Sequence, residues 1–375
     1  MRYKNLAVYA ATVILTLLFV YFGHKAFAGY NSEFADDAEI YTAKIISIDD
    51  ISETGNYFGG MDQVITFTAR ITGGAEKGDI VACTQRADSM IFSRDRDVEK
   101  GDRVLIMHTD DVDYNEQEWI FVGYNRLVAQ LFLCGAFLLL IVAIGSGKGV
   151  NTIVSLVLSC LVIFLVYIPS ILKGFNVYLS TVITSLAVIP MSLLLINGAN
   201  TKTLCAVLGN LGGILVTALL ALFMNKTLKL TGIVDEQYVY LAYINPDQPL
   251  NLVAVVWGGM VLGALGAIMD VAMTIASSMH ELSEHMQGKT FAKMVRSGMN
   301  IGRDAIGTMS NTLILAYIGS SLALVLVLLT YTKNTFYLFS MELIAVEVVQ
   351  AVAGSMGILF AVPITALFAA YLYNR

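Results

Sequence analysis

The feature that most constrains this chain is a series of long apolar runs with almost no charge in them. A bilayer core is crossed by about 20 apolar residues in a helix. Runs of that order occur at 6–22, 127–144, 151–168, 177–196 and 204–224. Three more follow at 252–279, broken only by Asp270, at 306–330, and at 343–373, broken only by Glu347. Backbone groups in lipid must be satisfied within the segment, so each run is expected as a helix. The fold expected is a polytopic α-helical membrane protein with about eight transmembrane helices. Charged residues make up 14% of the chain, against roughly 25% in an ordinary soluble domain. That excludes a disordered chain and one that binds nucleic acid through a basic surface. The lipid bilayer is the first partner the sequence names.

Charge is unevenly distributed. Residues 30–126 hold 20 acidic and 9 basic side chains, a net −11, whereas the rest of the chain carries +5. A small acidic aqueous module is therefore inserted after the first helix. Three regions are expected: a helix at 1–29, the acidic module at 30–126 and a seven-helix membrane region at 127–375. Lysine and arginine in short loops orient such a protein. With the N-terminus inside, the cytoplasmic side receives Arg2, Lys4, Lys148, Lys202, Lys289, Lys293, Arg296, Arg303 and Arg375. The outer short loops receive Lys173, Lys226, Lys229 and Lys333. Both termini are expected in the cytoplasm, with 30–126 outside.

The first run has two readings. Arg2 and Lys4, an apolar stretch and Ala26-Phe27-Ala28 resemble a signal peptide. His24 and Lys25 beside that site, and the length of the run, favour an uncleaved anchor. The acidic module reads as five short strands at 40–48, 63–71, 79–83, 103–107 and 119–124, rich in β-branched residues and partly alternating. Glu76-Lys77-Gly78-Asp79 is echoed by Glu99-Lys100-Gly101-Asp102. An extracytoplasmic all-β domain, an OB-like barrel or a sandwich, is expected. Lys289, Lys293, Arg296, Asn300 and Arg303 share one helical face, so the segment at about 283–305 reads as an amphipathic helix on the inner leaflet or as a hairpin loop.

Motifs for chemistry are weak. Gly145-Ser-Gly-Lys-Gly lacks the glycine and the hydroxyl residue of a Walker loop, with Val142 and Gly149 in those places, and reads as a tight turn. Asp95/Asp97/Glu99 and Asp111/Asp113/Asn115 have calcium-loop spacing, but Lys100 and Glu116 stand where the loop needs glycine. His280 and Glu281 do not make HExxH, because the next histidine is His285, preceded by Glu284. Cys83, Cys134, Cys160 and Cys205 are dispersed and read as small buried hydrophobes. No enzyme activity, cofactor or metal is expected.

The last three runs carry the strongest pattern. Asp270, Thr274, Ser277 and Glu281 step by helical spacing along one face; so do Asp304, Thr308 and Asn311; so do Glu347, Gln350, Gly354 and Gly357. In the functional reading the three faces meet and line a polar path, with Asp270 or Glu347 exchanging a proton or holding a cation. In the plainer reading these groups only hydrogen-bond helices together. Gly258, Gly259, Gly263 and Gly266, and Gly209, Gly212 and Gly213 beside Asn210, suit either tight helix packing or a mobile hinge.

Residues 263–282 (Gly-Ala-Leu-Gly-Ala-Ile-Met-Asp270 onward, ending His280-Glu281-Leu282) and residues 302–317 (Gly-Arg-Asp-Ala-Ile-Gly-Thr-Met onward) resemble the YibE/F family of bacterial multi-span membrane proteins. The resemblance implies an N-terminal anchor, an outer β-rich module, a polytopic body and a bacterial plasma membrane, and brings no established substrate. A glycine-rich helix bearing Asp270, then a charged stretch, then a helix with Asn311-Thr312-Leu313 is also similar to the SecD/SecF and resistance–nodulation–division permeases. In those proteins intramembrane carboxylates couple to proton flow. Eight spans and one small outer module depart from that pattern. The expectation is a permease-like protein for a small solute or ion, with the proton as a coupling partner. The alternative is an accessory protein whose outer β domain binds an envelope partner.

Overall fold

The computed structural model describes residues 2–27, 39–55, 61–74, 76–87, 96–109, 118–243, 249–286, 289–331 and 333–374. Asp95, Asp111, Asp113 and Asn115 of the calcium-loop spacings, and Ala28 of the Ala-x-Ala site, lie outside them. The chain divides into two compact units, Phe34–Leu139 and Met1–Glu33 with Leu140–Arg375.

The first unit contains the five strands read from the sequence: β1 (Ile40–Gly55), β2 (Met61–Ile71), β3 (Ile80–Ala87), β4 (Arg103–His108) and β5 (Trp119–Tyr124). They close into a barrel in the order β1-β2-β3-β5-β4, with β3 and β5 parallel. Closure removes the sheet edges and decides for a barrel over a sandwich. Alternation sends Ile65, Phe67, Ala69 and Ile71 inward from β2, where they meet Ala43, Ile45, Cys83, Val104 and Ile106. β1 outlasts its expected length: Ile40–Lys44 pair with β4 and Ala43–Gly55 with β2, and two register shifts in the second pairing, between Ile45 and Ser47 and between Ile48 and Asp50, bend the strand. The repeated tetrapeptide forms the same turn twice. Asp79 N–H donates to Glu76 O, and Asp102 N–H to Glu99 O. Gly78 (φ 109°) and Gly101 (φ 97°) hold the left-handed third position. Gln85 pins the segment beyond β3: its Nε2 donates to Arg96 O, and its Oε1 accepts from Val98 N–H.

The helical elements are α1 (Arg2–Phe27), α2 (Leu127–Val162), a π-helical turn (Ile163–Tyr167), α3 (Ile168–Leu172), α4 (Val177–Asn197) and α5 (Thr201–Thr227). Then come α6 (Glu236–Tyr243), α7 (Leu252–His285), α8 (Phe291–Ser320), α9 (Leu322–Tyr331), α10 (Thr335–Ser340) and α11 (Glu342–Tyr373). Among the described residues, six helical stretches are long and apolar enough to cross a membrane, and up to seven if the pair α8–α9, bent by 57°, is one span. Leu127–Leu172 is one of the six and holds two of the apolar runs. The break between them falls at Ser146, with φ 49° and ψ −131°. A Cβ on Gly149 would lie 2.2 Å from Ile141 O, whereas eight residues of straight helix span about 12 Å. The chain therefore doubles back here, at the glycine-lysine turn expected from the sequence.

Helix α11 packs on α5, α7 and α8. Gly263 approaches Gln350, Gly354 approaches Ala264, Gly357 approaches Ile268, and the His280 ring meets Tyr373, so α7 and α11 run parallel. Gly209 lies on Thr365, and Thr217 Oγ1 donates to Ala353 O, so α5 runs antiparallel to both. Gly213 and Gly357 face each other across α5 and α11. A methyl on the first would meet Gly357 O at 2.8 Å, and one on the second would meet Thr217 Oγ1 at 2.1 Å. These glycines allow two backbones to touch.

The cationic segment at about 283–305, expected as an amphipathic helix or a hairpin loop, divides between the end of α7 at His285 and the start of α8 at Phe291. Met294, Gly298 and Gly302, spaced by four, are buried on the side opposite much of the charge. Gly298 lies on Met279 and Ala366, and Gly302 on Val362. A small-residue packing stripe inside the charged stretch docks it onto the bundle.

Candidate functional site

Helix α7 is two-faced. Ile268, Val271, Ala272, Ile275, Ala276 and Met279 are buried in the bundle core. The opposite face carries Gly259, Gly263, Gly266, Asp270, Thr274, Ser277 and Glu281, of which Ser277 is half-buried and the rest exposed. Nothing comes within 4 Å of a Cβ placed on Gly259 or Gly266. The polar stripe read from the sequence is therefore continuous with a glycine stripe, and the described residues leave it largely uncovered.

The three polar faces do not converge as expected. On α8, Gly302 and Leu313 face α11, and Tyr317 reaches Gly263. Asp304, Thr308 and Asn311 lie on the far side and are exposed. Thr308 Oγ1 donates back to the carbonyls of Asp304 and Ala305. On α11, Glu347 and Gln350 are half-buried. Polar groups of α8 and α11 meet the glycine stripe of α7 at Gly263, with Tyr317 Oη 3.1 Å and Gln350 Nε2 3.6 Å from its Cβ position.

Nor are the two carboxylates side by side. The parallel pairing of Gly263 with Gln350 puts Glu347 level with Met260. Asp270 is ten residues further along α7, on the order of 15 Å at 1.5 Å per residue. Glu347 lies towards α6, where it helps to raise the Tyr238 phenol pKa, behind burial and Asp235. Asp270 sits in the middle of the 34-residue α7.

Some polar groups were missed by the search for carboxylates. Thr203, Asn210 and Thr217, seven apart on α5, form a buried row in the bundle. Their spacing was a readable signal. Neither amide atom of Asn210 has a hydrogen-bond partner. Glu342 accepts hydrogen bonds from Thr231 N–H and Gly232 N–H at 2.7 Å each and from Thr231 Oγ1–H at 2.9 Å. It clamps the loop after α5 to the start of α11.

Residues 133–375 match the family model described as YibE/F-like protein. The chain belongs to the YibE/F family. The match takes in every helix from most of α2 onward and begins after the barrel, so the YibE/F signature lies in the helical body that carries Asp270 and Glu347. No curated protein and no solved structure matches the chain. As a YibE/F protein with several apolar helices it is an integral, multi-pass membrane protein.

Proposed function

We propose that this YibE/F protein is a permease-like carrier of a small solute or ion across a bacterial plasma membrane, with Asp270 as its proton- or cation-exchanging group. The supporting observation is the place of Asp270, central in an apolar helix on a face the bundle does not cover. A carboxylate at the centre of a membrane helix costs about 2.5–3.5 kcal/mol on insertion scales, and such groups line aqueous or substrate pathways. Gly259, Gly263 and Gly266 keep that face narrow, and Thr274 and Ser277 continue it in hydroxyls towards Glu281. Glu347 and Gln350 stand near its other end. The termini lie in the cytoplasm and the barrel outside, as the lysine and arginine bias requires.

The experiment is proton flux into vesicles reconstituted with the full chain, followed with a pH-sensitive dye. Asp270→Asn is expected to reduce flux to the protein-free background with unchanged protein incorporation. Glu347→Gln is expected to slow it. Wild-type flux in Asp270→Asn overturns the reading. A second reading, an accessory protein whose barrel binds an envelope component, is favoured by the barrel's own closed core. It predicts no protein-dependent flux and full tolerance of Asp270→Asn.

A further inference from the structure

The last turn of α7, where the proposed path ends at Glu281, gathers further chemistry. Glu281, Glu284 and His285 each offer one ligand atom, and these atoms lie within 4.8 Å of one another. The spacing i, i+3, i+4 puts all three on one side of a helix. The ionic contacts described for the two carboxylates are with imidazoles: His285 Nε2 is 3.7 Å from Glu281 Oε1, and His280 Nε2 is 3.6 Å from Glu284 Oε1.

Electrostatics make this an unfavourable place for two carboxylates alone. The C-terminal end of a helix carries about half a negative charge, which repels anions and attracts cations. Like charges three apart on a helix add to the penalty. One further observation points to a ligand. Glu281 and His285 line an open cleft of 590 Å³, with the Ser277 and Ser278 hydroxyls beside them.

We propose that Glu281, Glu284 and His285 bind a first-row divalent transition-metal ion at the C-terminal end of α7. Two carboxylate oxygens and one neutral imidazole form a mixed donor set that suits zinc or manganese, whereas magnesium and calcium prefer oxygen alone. Small rotations of two glutamates bring donors together to about 3 Å, the edge length set by bonds near 2.1 Å. Three ligands from a single turn leave coordination positions open on the cleft side. The ion is thus exchangeable and reachable by water, unlike one in a closed four-ligand structural site.

The test is equilibrium dialysis of the chelator-stripped full chain in detergent against micromolar Zn²⁺, with metal counted by mass spectrometry. Wild type is expected to hold one more zinc per chain than the double variant Glu281→Gln, His285→Asn. Glu284→Gln alone is expected to weaken that zinc at least tenfold, and millimolar Mg²⁺ is expected not to displace it. All three side chains are exposed, so the variants are expected to keep the wild-type melting temperature. Equal zinc content in wild type and double variant, or none in wild type, overturns the site. Because the readout is bound metal, it is independent of the flux assay on Asp270.

Discussion

At the scale of single residues, the acidic side chains of this protein separate into different roles according to what surrounds them. Glu342 is a staple: three hydrogen bonds fix its carboxylate to the loop after α5. Charge-assisted bonds to backbone amides are among the stronger ones, and Glu342→Gln is expected to cost about 1–3 kcal/mol, seen as a lower melting temperature in detergent with the secondary structure unchanged. Asp270 has no such packing duty, so Asp270→Asn is expected to leave the melting temperature alone while removing flux. Cys83 behaves differently again. Burial in the barrel pushes its thiol from 9.0 up to about 12. In the unfolded chain the thiol ionises from about pH 9, while the folded barrel keeps its proton. Above pH 9 the unfolded state therefore binds fewer protons, and barrel stability falls as pH rises from 9 towards 12. Cys83→Ser is expected to remove that slope in an alkaline unfolding series.

At the scale of elements, glycine spacing alone does not say which helices touch. Gly213 and Gly357 sit where two backbones meet, whereas Gly259 and Gly266 face open space. Gly357→Val is expected to destabilise the bundle by about 1–3 kcal/mol or more, the usual cost of overpacking. Gly259→Ala and Gly266→Ala are expected to fold as the wild type does, which the same melting experiment checks. The five strands were legible because alternation and turn glycines act locally: β5 coincides with its expected range, and the twin turns around Gly78 and Gly101 follow from a repeated tetrapeptide. The extension of β1 was not, since it depends on pairing with two partner strands distant in sequence. The polar stripes of α7 and α8 were correct as helix faces. Their orientation was not legible, because side-chain period fixes an angle about one axis and says nothing of where the neighbouring helix stands. Met294, Gly298 and Gly302 illustrate the same limit: the sequence reading saw the cationic face of this stretch, and only packing against Val362 and Ala366 reveals the docking face opposite it.

At the scale of the whole molecule, a closed acidic barrel and a helical body of the YibE/F family share one chain, and each has its own core. Within the body, parallel α7 and α11 and antiparallel α5 form the interior, and the small polar face of α7 is turned away from it. The account rests on that face being wet inside the bilayer. The direct measurement is labelling of single cysteines along α7 with a membrane-impermeant maleimide, in vesicles and on a background lacking Cys83, Cys134, Cys160 and Cys205. Reaction at Gly266→Cys, Thr274→Cys and Ser277→Cys, with silence at Ala272→Cys and Ala276→Cys, is the result predicted. Labelling of the three polar-face positions by a lipid-soluble reagent alone would place that face against hydrocarbon and contradict the account.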